Sequence, residues 1–458
     1  MTETSARRRI WGWYFFDWAS QPYNTLLLTF IFGPYFAQTA TEVYVGHGLS
    51  EAAARARAQA AWGYGLTVGG VAIALLAPVL GAVADSSGRR MPWIWVFSAL
   101  YVAGAGGLWF SAPQSFSIFW TLFFLGLGLL GAEFATIFTN SYLPDLAPDR
   151  GERGRISGSG WAFGYAGGVL ALVIVLVFFE AGEGGRTLAG LKPLFGLDPT
   201  TGADTRIVGP FTALWYVVFM VPFFLWMREG ERRAPRGSGH FVKGLSDLAA
   251  TLRRLPRNPS LLAYLASSMF YRDALNGLYT FGGIYALGVL GWSIVDIGVF
   301  GILAAISGTV FCWVGGRIDR AVGPLPVIRT CCVLLILTSI MVVTLTRTSA
   351  LGMDLPEGSS LPDVLFYLAG ALIGAAGGAL QASSRTMLTL QGDPERMTEA
   401  FGLYALSGKA TSFLAPATIA VVSDLTGSQR AGVLPVVALF IAGLVLLGWV
   451  KTSGEARA

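Results

Sequence analysis

Five charged side chains lie inside stretches that are otherwise apolar: Asp17, Glu133, Arg272, Asp273 and Lys409. A charge surrounded by apolar sequence is costly unless it meets water, an opposite charge or a cargo. The signs suit a zwitterion: an amine can meet Asp17 or Asp273, and a carboxylate can meet Arg272 or Lys409. Glu133 is the first candidate to carry a proton. Polar residues accompany these charges at helical spacing. Asp17, Gln21 and Asn24 follow i, i+4, i+7, as do Arg272, Asn276 and Tyr279, while Glu133, Thr136 and Asn140 follow i, i+3, i+7. Each set marks one wet stripe on a helix. The plainer alternative is an internal ion-pair network, Glu133 with Arg272 and Asp273 with Lys409, that holds helices together without touching cargo.

A second constellation is a polar turn between long apolar runs, Gly81 to Arg90 (GAVADSSGRR). Gly81 and Gly88 permit close approach and a tight turn. Asp85 can accept hydrogen bonds from Arg89, from Arg90 or from a helix N-terminus. A degenerate copy runs from Gly315 to Gly323 (GGRIDRAVG), with Asp319 and Arg320. The two aspartates stand about half the chain apart, which points to two similar halves.

The elements that must position these groups are membrane helices. The 458 residues are 54% hydrophobic and 13% charged, with 59 glycines. Soluble domains carry about 25% charged residues. Segments of spanning length fall near 11–38, 61–84, 92–111, 117–141, 157–180, 210–227, 260–287, 294–315, 325–346, 363–384, 400–423 and 432–450. The fold class expected is therefore an all-α membrane protein of twelve transmembrane helices. The expected division is residues 1–227, a basic linker at 228–259, and residues 260–458. Of the 32 Lys and Arg residues, 23 fall on the side holding both termini and the linker, and seven on the other. That bias places both termini in the cytoplasm. The apolar stretch after Arg7, Arg8 and Arg9 is too long for a signal peptide and reads as a retained span. The outer loop near 181–209 reads as a solvated connection.

The turn from Gly81 to Arg90, the twelve spans and the central basic loop together resemble the major facilitator superfamily. Its signature between the second and third spans is G-x-x-x-D-(R/K)-x-G-R-(R/K). Gly81, Asp85, Gly88, Arg89 and Arg90 match it, and Ser86 replaces a basic residue. Further phrases are similar to the branch that includes the fungal vacuolar amino-acid effluxers. They are residues 14–23 (YFFDWASQPY), 140–144 (NSYLP), 157–168 (SGSGWAFGYAGG) and 401–410 (FGLYALSGKA). The resemblance implies two six-helix pseudo-symmetric halves, with spans 1, 4, 7 and 10 lining a central cavity. It implies that Asp85 and its copy Asp319, with Arg89, Arg90 and Arg320, hold a gate. The expected substrate or proton pathway residues are Asp17, Asn24, Glu133, Asn140, Arg272, Asp273, Asn276 and Lys409.

Other classes fare poorly. No nucleophile–base pair or phosphate-cradling motif is found, so neither an enzyme nor a nucleotide-driven pump is expected. The two histidines and three cysteines form no metal set, and no cofactor is expected. The basic balance (pI about 9.1) follows membrane topology and calls for no nucleic acid. A receptor or scaffold would need larger soluble parts. The expected partners are a small-molecule substrate, protons as coupling ion and membrane lipid, with the chain acting as a monomer in a bacterial inner membrane. Amino-acid efflux coupled to a proton gradient is the leading expectation, and a broad drug or metabolite efflux pump the alternative.

Overall fold

The computed structural model describes residues 3–182, 184–227, 240–292, 294–356 and 358–452. It is built from helices: α1 (Glu3–Pro22), α2 (Phe32–Gly46), α3 (Glu51–Ser87), α4 (Met91–Gly107), α5 (Ile118–Asn140), α6 (Leu143–Leu146), α7 (Arg150–Phe178), α8 (Ala203–Arg206) and α9 (Val208–Trp226). After these come α10 (His240–Arg254), α11 (Pro259–Leu290), α12 (Ile294–Val322), α13 (Pro324–Thr344), α14 (Leu361–Gln391), α15 (Met397–Ala410), α16 (Leu414–Thr426) and α17 (Leu434–Leu446). A two-residue hairpin, β1 (Ser349–Ala350) with β2 (Met353–Asp354), caps one loop. Of the expected linker, residues 228–239 lie outside the described residues, and the remainder forms α10 and a short 3-10 turn.

Among the described residues, ten helices are long and apolar enough to cross a membrane. The first and seventh expected spans are helical too. They fall short of that criterion because α1 carries Arg7, Arg8, Arg9 and Asp17, and because α11 carries Arg272, Asp273 and several hydroxyls. The twelve-span expectation is consistent with this pattern. Apolar stripes face outward, as lipid requires: Tyr64, Val68, Val71 and Leu75 on α3 are 52–72% exposed.

The helices cluster into two compact units. The first comprises the described parts of Met1–Leu76, Ser87–Thr139 and Phe163–Pro235. Its interior is aromatic, with Tyr101 stacked on Tyr216 at 3.9 Å and Tyr216 bonded to Ser98 at 2.8 Å. Small residues let α4 and α5 touch backbone to backbone, Gly104 on Gly128 and Gly131 on Tyr101. α1 ends at Pro22. This proline has no N–H for the Trp18 carbonyl, which takes the Trp215 Nε1–H instead at 3.2 Å. The chain continues as a π-helical segment, Tyr23–Phe30, before α2.

The second unit comprises the described parts of Ala77–Ser86, Asn140–Ala162 and Arg236–Ala458. Its core is fixed by hydroxyl-to-backbone bonds. Tyr264 donates to the Ser384 carbonyl at 2.5 Å and Ser267 to the Gly443 carbonyl at 2.7 Å. The end of α3 and the start of α7 belong to this unit, packed against the later helices. That placement builds the site below.

Candidate gate and solute site

The turn after α3 is closed by Gly88 at φ +66°, a conformation that favours glycine. One turn earlier, Asp85 Oδ2 accepts the backbone N–H of Glu399 at 2.8 Å. Glu399 is the third residue of α15, so Asp85 satisfies one of the unpaired N–H groups that open a helix. Of the partners open to Asp85 in the sequence, the helix N-terminus is thus seen. Glycine makes the approach possible. A Cβ on Gly81 would lie 2.6 Å from the Thr398 carbonyl oxygen, and one on Gly402 would collide with the Ala77 carbonyl. Arg89 is exposed and Arg90 is 3% exposed.

The second copy builds a matching seam between α7, α12 and α14. Asp319 is 2% exposed and lies against Gly154, whose Cβ would sit 2.5 Å from the carboxylate. Gly158 abuts the Cys312 carbonyl and Gly316, so α7 and α12 cross with no side chain between them. Arg320 pairs with Glu152 at 2.8 Å, and Gly323 at φ +86° ends α12 as Gly88 ends α3. The extra residue in the copy therefore leaves the terminating glycine intact.

Arg385 locks this seam. It is 4% exposed on α14, donates from Nε to Ser157 Oγ at 2.9 Å and from Nη2 to the Ser157 carbonyl at 2.7 Å. Its Nη1 donates to Asn140 Oδ1 at 3.0 Å. Arg153 donates to the Thr389 carbonyl at 3.1 Å. Asn140, expected on the pathway, is here a ligand of the Arg385 guanidinium. Thr398 and Ser141 join the two seams through a 3.2 Å hydroxyl contact.

The charges inside the second unit gather at a break in a helix. α15 ends at Ala410 and α16 starts at Leu414, with a turn between. Asp273, 1% exposed, accepts the Ala415 N–H at 2.7 Å and so caps the start of α16. Arg272 donates to the Tyr404 carbonyl at 2.9 Å and lies over the Tyr404 ring at 4.1 Å. Gly408 leaves room for its guanidinium, which a Cβ would meet at 2.5 Å. Lys409 occupies the last turn of α15, half-buried, and Asn276 is exposed one turn beyond Arg272 on α11. The break thus holds Arg272, Asp273 and Lys409 within one neighbourhood.

In the first unit Asp17 is half-buried, and its backbone and Cβ back onto Gly164. Gly168 similarly meets Gln21 and Thr25, so these two α7 glycines seat α1. Asn24 is exposed in the π-helical segment, where the i+7 register from Asp17 no longer holds as in a regular helix. Glu133 is half-buried on α5, and Thr136 beside it bonds back to the Ala132 carbonyl at 2.7 Å. Among the described residues no group of three metal-ligating side chains occurs.

The family model described as "Vacuole effluxer Atg22 like" matches residues 5–457. The chain belongs to this Atg22-like family. It is 24% identical over 443 residues to the uncharacterised MFS-type transporter YxiO of Bacillus subtilis, spanning 96% of this chain and 94% of that one. It is 23% identical over 310 residues to autophagy-related protein 22 of Cryptococcus neoformans, spanning 66% of this chain and 51% of the fungal one. The chain therefore spans about half the length of that fungal relative. Among solved structures, the proton:xylose symporter XylE aligns with TM-score 0.72 at 12% identity, over 99% of this chain and 98% of that one. The human organic anion transporter MFSD10 aligns with TM-score 0.68 at 16% identity, over 98% and 100%. The fold is that of the major facilitator superfamily, and the protein is a multi-pass membrane transporter of that class.

Several residues of this Atg22-like transporter were not legible as site residues. Arg385 counts among loop cations in the sequence, although it lies in a helix that continues to Gln391. The small-residue run before it, from Gly374 to Ser384, was the available signal for a tightly packed, buried position. Glu399 carried no signal, and Ser157 stood out only as the first residue of the 157–168 phrase, because each acts through contacts far along the chain.

Proposed function

We propose that this transporter moves a small zwitterionic solute of the amino-acid class out of a bacterial cell, driven by the proton gradient. The observation that carries the reading is the break between α15 and α16. It is braced by Arg272 and Asp273, with Lys409 at its edge. Interrupted helices place backbone groups and charges where a solute can reach them. A guanidinium held over an aromatic ring remains available to a carboxylate through its free donors. Asp17, Asn24 and Glu133 are the pathway groups proposed on the first unit, with Glu133 as proton carrier. Asp85, Arg89, Arg90, Asp319 and Arg320 are assigned to the gate. The basic bias supports assigning the turn-bearing end to the cytoplasm.

Counterflow in proteoliposomes with pooled labelled amino acids tests the cargo class. Exchange of amino acids, abolished by Arg272→Gln, supports the reading. Exchange confined to amphipathic cations overturns it in favour of a drug efflux pump. Glu133→Gln tests coupling. It is expected to abolish uphill transport driven by a pH gradient while preserving exchange. Full pH-driven accumulation by that variant excludes Glu133 as carrier.

A further inference from the structure

We propose that α10 is a bilayer-surface helix whose free face is covered by anionic phospholipid. The helix has two unlike faces. One is docked: Gly244 lies against Val83, where a Cβ would come within 2.9 Å of that backbone, and Leu248 is 7% exposed. Arg396, at the start of α15, donates to the Asp247 carbonyl at 3.3 Å, to Thr251 Oγ1 at 3.2 Å and to Asp247 Oδ1 at 3.4 Å. These docked positions, 244, 247, 248 and 251, share one side of a helix.

The opposite side is apolar and open. Val242 is 71% exposed, Leu245 39% and Leu252 46%, with Ala249 exposed between them. Positions 242, 245, 249 and 252 again form a single stripe. Lys243, Arg253 and Arg254, with Arg257 just beyond the helix end, are exposed around it. The acid of the helix, Asp247, is turned to Arg396 on the docked side. The open side is therefore apolar with a basic margin.

The level of the helix selects the occupant. Val83 is four residues from the end of α3, about 6 Å along its axis. α10 thus lies at the height where a membrane span leaves the hydrocarbon. A helix with an apolar stripe and flanking cations at that height embeds its stripe at the acyl boundary and its cations among anionic headgroups. The charge complement favours this occupant over a neutral bilayer. Because the docked face grips Arg396 beside the Asp85–Glu399 cap, lipid on the free face also steadies the gate.

The test uses the full-length protein, one copy per nanodisc, with a spin label on a cysteine at Val242. The native Cys312, Cys331 and Cys332 are buried and stay unlabelled. Accessibility to oxygen and to a water-soluble nickel complex is compared in phosphatidylcholine alone and with added phosphatidylglycerol. The expected result is a several-fold rise in oxygen over nickel accessibility with the anionic lipid, reversed by high salt. Arg253→Gln with Arg254→Gln is expected to lower the engaged-to-free ratio about 30-fold, from about fivefold per cation at an anionic surface. These cations are exposed, so folding is spared. A label equally wet in both lipids overturns the proposal. So does a label equally dry in both, or one insensitive to the charge removal, since either removes the anionic requirement. Burial that appears only when a second copy shares the disc assigns the face to self-association and likewise overturns it.

Discussion

Replacing Asp85 by Asn isolates the charge in the cap of α15. The shape is kept, and an amide oxygen can still accept the Glu399 N–H now held at 2.8 Å. What is lost is the charge assistance and its interaction with the helix N-terminus. Hydrogen bonds to charged groups contribute about 1.5–3 kcal/mol and neutral ones about 0.5–1.5 kcal/mol. The difference, about 1–1.5 kcal/mol, is close to a tenfold change in an equilibrium. In the proposed gate the bond is broken when the seams part, so the open fraction is expected to rise by that factor. Ser383 provides the reporter position. It is fully buried on α14, facing the same seam as Asp319. With Ser383→Cys, labelling by a small charged thiol reagent reads the open fraction while that fraction is small. Asp85→Asn is expected to raise the labelling rate about tenfold and to impair transport without reducing the amount of folded protein. A rate within twofold of the parent refutes the capping argument. Asp85→Ala, which removes the acceptor entirely, is expected to exceed the Asn variant.

The remaining predictions concern other parts of the chain. Gly158→Ala forces a Cβ to within 2.6 Å of Gly316, backbone against backbone, and overpacking of this kind costs about 1–3 kcal/mol. Ser383→Cys labelling is expected to rise at least about fivefold in that variant, whereas Gly63→Ala, with open space around it, leaves it unchanged. Glu180 lies just beyond α7, where burial and then the neighbouring Asp204 charge push its carboxyl up to about 7. The folded state therefore holds this proton more tightly than the unfolded state, and the contribution is present below about pH 4.3 and lost as pH rises through 7. Thermal unfolding in detergent is expected to show stability falling across that window, by about 1–3 kcal/mol, and Glu180→Gln is expected to flatten the profile. Reporter fusions at Arg236 and Gly196 are expected to report opposite sides of the membrane, and same-side signals would refute the assigned topology.

Much of this transporter is written in local sequence. Apolar runs of spanning length dictate helices, because lipid leaves backbone groups no other partner. Gly88 and Gly323 end their helices through a positive φ that a turn requires, and both copies could be recognised from sequence. The five intramembrane charges were visible from their cost alone. Their work was not. Asp273 and Arg272 brace the break between α15 and α16 through groups more than a hundred residues away, at Ala415 and Tyr404. Arg385 reads as a loop cation until Ser157 and Asn140 are folded against it. The Trp18 carbonyl, for which Pro22 has no N–H, takes its donor from Trp215, 197 residues further along the chain. Sequence determined which segments enter the membrane and which residues are costly there, since both follow from transfer of local groups out of water. Tertiary structure decided which polar partner each costly residue met, since those partners come from distant segments and no local pattern encodes the pairing.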